Sequence, residues 1–229
     1  MRILALDAAT EACSAALWRD GEMAERFEIA PRRHAELLLP MARELLAEAG
    51  LRLTDLDAIA FGRGPGAFTG VRIATGVVQG LAYGAGLPVA PVSDLAAQAA
   101  RCARERGARR VLCLQDARMR EVYWGAFECG DPDRPEPAGP ERVSEPATLS
   151  PERFDADWHG AGNGWEAYPE ALAGLRERLG EVGAVTHPHA ADIARLAAVM
   201  VERGETVDAA HAVPSYVRDD VARKPKDSS

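Results

Sequence analysis

The chain has 229 residues, of which 47% are hydrophobic and 27% charged, and these values predict a folded globular protein with one large or two small domains. A formal net charge of -8 excludes a broad basic surface for nucleic acid, which would need many exposed Lys and Arg side chains. The four cysteines form no CxxC pair and glycines and prolines interrupt the most apolar stretch, so we expect reduced thiols, no membrane span and a cytoplasmic protein.

The N-terminal part predicts three antiparallel strands followed by one helix. Short β-type runs cover residues 2–6, 13–18 and 22–29. The Asp20-Gly21 pair between the last two runs is a strong signal for a tight hairpin turn. An amphipathic helix is predicted over residues 33–49, with Gly50 as its C-cap. Because apolar residues occupy roughly 200° of this helix, where packing on one sheet needs only about 100°, we expect it to have two packing surfaces.

A glycine-rich segment, residues 62–70, follows a predicted buried strand over residues 57–61 and leads into a predicted helix over residues 71–85. We call this segment the glycine loop. Its glycines predict positive φ angles or close backbone approach, and Thr69 is predicted to cap the helix with its side-chain oxygen. The loop lacks the Gly-Lys-Ser/Thr ending of a P-loop. It is therefore either a tight turn for close helix packing or a site that holds an anion at the helix N-terminus.

The predicted second helix has a face of small and polar residues opposite its core face, without any carboxylate. On this face Gly76, Gly80 and Gly84 follow one another at i, i+4 and i+8, a spacing that lets another helix approach closely. The pattern leaves open whether that neighbour belongs to a partner or to the C-terminal half of this chain. If it belongs to a partner, the interface comprises His34, Leu37, Leu38, Met41, Leu45, Arg72, Thr75, Gly76, Gln79, Gly80 and Tyr83.

A strand is predicted over residues 89–92 and a helix over residues 93–105, with Ser93 as N-cap. A strand pair is predicted over residues 111–115 and 121–127, followed by a proline-rich excursion over residues 130–151. Two helices over residues 165–179 and 191–203 and a polar tail with Lys224 and Lys226 complete the chain. The order of strands and helices predicts an α/β fold with a mixed sheet, followed by a smaller mixed half.

Five segments together resemble the bacterial TsaB (YeaZ) family of tRNA threonylcarbamoyladenosine biosynthesis proteins. They are LALDAATEACSAAL, HAELLLPM, FGRGPGAFTGVRIATGVVQGLAYG, DARMREVYWGAF and PSYVRDDVARKP, and they extend over essentially the whole chain. The resemblance implies a two-lobed actin-like fold, shared with sugar kinases and heat-shock chaperones, with mixed sheets flanked by helices. We expect the lobes to comprise residues 1–105, with the glycine loop and the partner helices, and residues 106–229.

The resemblance also places the family's Asp-x-x-Thr turn at Asp7 and Thr10, although the following residue, commonly a hydroxyl residue in the family, is Ala8 here. A vestigial nucleotide or phosphate site would then comprise Asp7, Thr10, Gly64, Gly66, Thr69 and Gly70. The alternative interpretation of Asp7 is a residue that only caps the turn after its strand.

In function, the resemblance implies a non-catalytic subunit that binds TsaD, which transfers threonylcarbamoyl to N6 of adenosine 37 in tRNAs reading codons that begin with A. It implies the ATPase TsaE as a third component and contact with tRNA only through the complex. TsaD carries a metal-binding HxxxH where this chain reads VSDLAA over residues 92–97, so we expect neither metal nor cofactor. Whether the isolated chain forms a homodimer stays open. The alternatives are an ATP-dependent phosphotransferase, suggested by Asp7, Thr10 and the glycine loop, and a metallopeptidase.

Overall fold

The computed structural model describes residues 1–217, so the predicted tail with Lys224 and Lys226 lies outside the described residues. The strands are β1 Arg2–Asp7, β2 Ala12–Arg19, β3 Glu22–Ile29, β4 Ala58–Gly62, β5 Val89–Val92, β6 Arg110–Asp116, β7 Val122–Glu128, β8 Glu136–Pro137, β9 Arg142–Ser144 and β10 Trp158–Ala161. The α-helices are α1 His34–Glu48, α2 Phe68–Ala85, α3 Asp94–Arg106, α4 Gly164–Ala167, α5 Ala173–Arg176 and α6 Ala190–Glu202.

The first sheet has the strand order β3-β2-β1-β4-β5. It is mixed, because β1 runs antiparallel to β2 and parallel to β4. Side chains alternate between the two faces of a strand, and β1 follows this rule: Leu4 and Leu6 pack under α1 and α2, whereas Ile3 and Ala5 pack under α6. The sheet is therefore covered by helices on both faces.

The second sheet has the order β10-β6-β7-β8, and β9 pairs with β7 as well. It is also mixed, since β6 is antiparallel to β7 and parallel to β10. Helix α3 lies between the sheets: Ala97 and Ala100 join the cluster under α6, while Leu95 and Ala99 join the cluster on β6. The predicted fold class, an α/β protein with two mixed sheets flanked by helices, is confirmed.

Two predictions about the C-terminal half are wrong. The helix predicted over residues 165–179 is interrupted, leaving only the four-residue helices α4 and α5. Tyr168 leaves the helical region because it precedes Pro169, a position that disfavours the α conformation. The excursion over residues 130–151 is not wholly irregular, because β8 and β9 pair with β7.

The first sheet is packed not only by helices from the first half of the chain but also by a helix from the second half. Helix α6 belongs by sequence to the second half, yet it packs on β1, β2, β4 and β5 of the first sheet. The division at residues 105 and 106 stays a prediction. Within residues 1–217, no helix combines the length and the apolar character that crossing a bilayer requires.

Candidate functional site

The glycine loop packs directly on the turn that follows β1. The Ala67 amide donates a hydrogen bond to the Ala9 carbonyl oxygen at 2.7 Å. A Cβ added at Gly66 would lie closer than 3.0 Å to Ala9 O, and one added at Gly70 closer than 3.0 Å to Ala8 O. Close backbone approach therefore explains these two glycines, whereas Gly64 has a φ of +97°.

This packing accounts for the loop glycines without an anion. An anion at a helix N-terminus is held by free backbone N–H groups, and one such group beside the start of α2, the Ala67 amide, is already bonded to Ala9 O. The predicted cap is wrong: α2 begins at Phe68 after Ala67, and Thr69 is an exposed residue of its first turn. The arrangement of the loop favours the tight turn over a phosphate site.

A cleft of about 790 Å³ opens beside the glycine loop, between the two sheets. Its lining includes Thr10 and Thr69 on one side and Gln115 on the other. Thr10 is occupied in its own turn, because its Oγ1 accepts a hydrogen bond from the Ala12 amide at 3.1 Å. The cleft thus collects several of the predicted residues without arranging them around a common point.

Charged groups at the cleft are paired with one another. The Arg118 guanidinium lies 2.5 Å from Glu11 Oε1 and 3.0 Å from Asp116 Oδ2. The Tyr168 hydroxyl donates to Asp116 Oδ1 at 2.9 Å. The Arg118–Glu11 contact joins the two halves of the chain, and both carboxylates are engaged with partners from the chain itself.

Asp7 does not face this cleft. Its carboxyl is fully buried, and Oδ1 accepts a hydrogen bond from the Ala9 amide at 2.9 Å. The other side of the carboxyl contacts Asp94, the first residue of α3. Burial raises the pKa of Asp7, so the structure gives Asp7 the features of a turn-capping residue rather than of an exposed ligand group.

The sequence did not single out Asp94, which appears there only within the VSDLAA run over residues 92–97. Its Oδ2 accepts a hydrogen bond from the Gly64 amide at 2.5 Å, and its own amide donates to Gly64 O at 3.1 Å. Burial and the neighbouring charge of Asp7 raise its pKa well above the usual value. The sequence signal that could have identified Asp94 was its position as an acidic residue directly after the predicted N-cap Ser93. That cap is confirmed, because Ser93 Oγ accepts a hydrogen bond from the Ala96 amide at 3.1 Å.

The predicted partner residues of α1 lie mostly inside the molecule, where they pack within this chain. Leu38 and Leu45 are 0% and 1% exposed, and Met41 belongs to the same core cluster between α1, α2 and the first sheet. His34 is buried with Nε2 at 2.9 Å from Thr10 O. Leu37 packs against the same cluster. The wide apolar arc reflects simultaneous contact with the sheet and α2.

Helix α2 divides the other predicted partner residues into two groups. Thr75 is buried and its hydroxyl donates to Val71 O within the helix, and Gln79 donates to Ala212 O at 2.9 Å. The remaining residues of this predicted face are exposed: Arg72, Gly76, Gly80 and Tyr83. Together with Gly84 they form what we call the glycine face of α2.

The glycines of the glycine face are open within residues 1–217, although Arg72 at one end of the face lies over the Tyr216 ring. A Cβ added at Gly76, Gly80 or Gly84 would meet no heavy atom within 4 Å beyond the helix's own backbone. Residues 1–217 also contain no group of three His, Cys, Asp or Glu side chains that could hold a metal ion. The two features of the candidate site are therefore an open helix face and an inter-lobe region whose polar groups bond to one another.

Comparisons with known proteins agree on one family. Residues 27–226 match the family model described as "TsaD: tRNA N6-adenosine threonylcarbamoyltransferase". The chain is 44% identical to the "tRNA threonylcarbamoyladenosine biosynthesis protein TsaB" of Escherichia coli (strain K12), over 98% of this chain and 97% of that protein. It is 37% identical to the protein of the same name from Haemophilus influenzae, over 98% of this chain and 96% of that protein. A solved structure called "YeaZ from Pseudomonas aeruginosa" superposes with a TM-score of 0.84 and 48% identity, over 94% of this chain and 100% of that chain.

Proposed function

The chain belongs to the TsaB family of tRNA threonylcarbamoyladenosine biosynthesis proteins, and we propose that it is the non-catalytic subunit that binds TsaD in this pathway. In this role it supports TsaD while TsaD transfers threonylcarbamoyl to N6 of adenosine 37 in tRNAs reading codons that begin with A. TsaE joins as the ATPase, and tRNA is contacted only through the complex.

The observation that carries the proposal is the glycine face of α2. Three glycines on one helix face permit close approach of a second helix, and the described residues of this chain leave that space open. Tyr83 next to them is 85% exposed, and Phe68, the first residue of α2, is 56% exposed. Exposed aromatic residues beside an uncovered apolar surface are typical of a protein–protein interface. In the absence of TsaD, the same face joins two copies of the chain.

The inter-lobe region supports a non-catalytic role over the two enzymatic alternatives. An ATP-dependent phosphotransferase needs cationic and N–H donors around the phosphates, whereas the glycine loop has no lysine and its Ala67 amide already donates to Ala9 O. A metallopeptidase needs a cluster of metal ligands, and residues 1–217 contain none. Titration of the protein with ATP and Mg²⁺ tests the first alternative directly, since tight binding with turnover would favour a phosphotransferase.

The decisive experiment replaces Gly76 or Gly80 with Arg and measures co-purification with TsaD and modification of adenosine 37. An arginine at either position would hold the partner helix away from α2 and would bury its guanidinium without a partner. These effects cost several kcal/mol of binding free energy. We expect Gly80→Arg to remain folded, to lose TsaD and to abolish modification. Gly174→Arg is the matched control, because Gly174 is an exposed helical glycine on α5 with equally open surroundings. Unfolding of Gly80→Arg, or retained TsaD binding, would contradict the proposed interface.

A further inference from the structure

Two buried carboxyl oxygens have no donor from the rest of the described chain. Asp7 Oδ2 and Asp94 Oδ1 are inaccessible to solvent, and no N–H or hydroxyl group of residues 1–217 bonds to either oxygen. The two carboxyl groups instead lie side by side at Gly62, and the charge of Asp7 helps to raise the pKa of Asp94. Two ionised carboxylates cannot hydrogen-bond to each other, because an ionised carboxylate only accepts.

The backbone shapes this contact. A Cβ added at Gly62 would lie closer than 3.0 Å to both Asp94 Oδ1 and Asp7 Oδ1, so the two carboxyl groups converge on the bare face of this glycine. Each carboxyl already accepts one backbone hydrogen bond, from the Ala9 amide to Asp7 and from the Gly64 amide to Asp94. A proton on Asp94 Oδ1, which no donor of residues 1–217 reaches, would give this oxygen a hydrogen bond to the Asp7 carboxyl that converges with it at Gly62.

Among the described residues, no cationic group bonds to either of the two unpartnered oxygens. The other titratable groups that face it are His34 of α1, Cys13 of β2 and Glu141 of the proline-rich excursion. Glu141 adds negative charge near Asp94, and His34 is already bonded to Thr10 O. A fully desolvated pair of carboxylates carrying two charges would be strongly disfavoured in such a site.

We propose that Asp7 and Asp94 bind one proton between them at neutral pH, with Asp94 donating to Asp7. The shared proton ties together the end of β1, the glycine loop and the start of α3. A magnesium ion does not fit this place, because Mg²⁺ requires octahedral coordination with several waters and both aspartates are 0% exposed. This proton site goes beyond the proposed partner function and does not depend on it.

The proton makes folding depend on pH in a defined direction. Both aspartates of the unfolded chain ionise near pH 3.9, whereas the folded chain keeps one proton on Asp94 to a higher pH. The folded state therefore holds one proton more than the unfolded state above about pH 4, and stability falls as the pH rises. The folding equilibrium constant decreases about tenfold per pH unit until Asp94 ionises in the folded protein.

The test combines infrared spectroscopy of the whole protein with urea unfolding between pH 5 and pH 8. We expect the wild type to show the C=O band of a protonated carboxylic acid at neutral pH. In Asp94→Asn the amide donates to Asp7 and its oxygen still accepts from Gly64, so the band and the tenfold-per-unit pH dependence should both disappear. Asp7→Asn should also remove the band, because its amide would donate to an ionised Asp94.

Asp55→Asn is the control variant. Arg52 holds the pKa of Asp55 at about 2, so this half-buried residue is ionised throughout the tested range and its loss should leave band and slope unchanged. A wild-type protein without the carboxylic acid band would overturn the proposal. So would a stoichiometric Mg²⁺ found by native mass spectrometry in the dialysed wild type and lost in Asp94→Asn, because the pair would then hold a cation.

Discussion

The carbonyl oxygen of Ala8 occupies the space that a side chain at residue 70 would need. The turn after β1 and the first turn of α2 are thus joined by backbone contact, and Gly66 repeats the arrangement against Ala9. Because a Cβ at either position would collide with backbone rather than with a flexible side chain, the glycine loop has a packing role that no other residue type can take over.

We expect Gly70→Ala to destabilise the protein by at least about 1–3 kcal/mol, the usual cost of overpacking a close contact. Gly76→Ala on the same helix is the control. The added methyl there meets open space, so the better helix propensity of Ala should stabilise the protein by about 0.5–1 kcal/mol. Urea unfolding of the two variants measures both effects, and equal stabilities would contradict the packing role.

Gly66→Val should damage both the fold and adenosine 37 modification, because the branched side chain would collide with Ala9 at the base of the loop. Complementation of a strain that lacks the protein measures modification, and circular dichroism measures the fold. Full stability with full modification would show that the loop does not organise the molecule.

The four cysteines should be inert in the folded protein. All four are buried, and burial raises the pKa of Cys13 and of Cys129 to about 12 and that of Cys102 to about 11. Since the thiolate is the reactive species, a thiol-specific reagent at pH 8 should label the native chain only as fast as it unfolds. In urea the same reagent should count all four thiols, which provides the control. Rapid native labelling would contradict the predicted burial.

Asp192→Ala should weaken the joint between α3 and α6. Asp192 is 2% exposed and pairs with Arg101 and Arg104 of α3. Removing one partner of a buried ion pair costs about 3–5 kcal/mol, and we expect the lower end because the two arginines retain 26% and 29% of their side-chain exposure. Glu205→Ala, which removes an exposed partner, should change stability by no more than about 0.5 kcal/mol. Chemical denaturation compares the two.

The purified protein should contain no stoichiometric zinc or iron. The HxxxH of the catalytic relative is absent from the sequence, and residues 1–217 bring no three ligand side chains together. Elemental analysis after dialysis measures this directly, with the TsaD partner as a positive control. One tightly held ion per chain would contradict it and would favour an enzymatic role.

Much of the fold follows from local sequence signals. The Asp20-Gly21 turn has the expected positive φ angles of 51° and 97°, and Gly50 has a φ of 65° beyond α1. The period of apolar residues located every strand of the first sheet to within two residues. Such features depend on neighbouring residues in the chain, so the sequence alone determines them. Local signals were not enough between α4 and α5, because the apolar pattern there predicted one continuous helix and the helix-breaking effect of Pro169 was not taken into account.

The candidate site depended on contacts between distant segments. Asp7 and Asp94 meet only because parallel pairing of β1, β4 and β5 brings the ends of those strands to one edge, and no local pattern marks the pair. In the same way, periodicity identified the apolar arc of α1 but not that α2 and the sheet would cover it. The sequence by itself determined the elements of the first sheet, their turns and the family. Only tertiary packing decided that the carbonyls of Ala8 and Ala9 lie against Gly70 and Gly66 while the glycines of the α2 face remain open, because both outcomes depend on which surfaces the folded chain brings together.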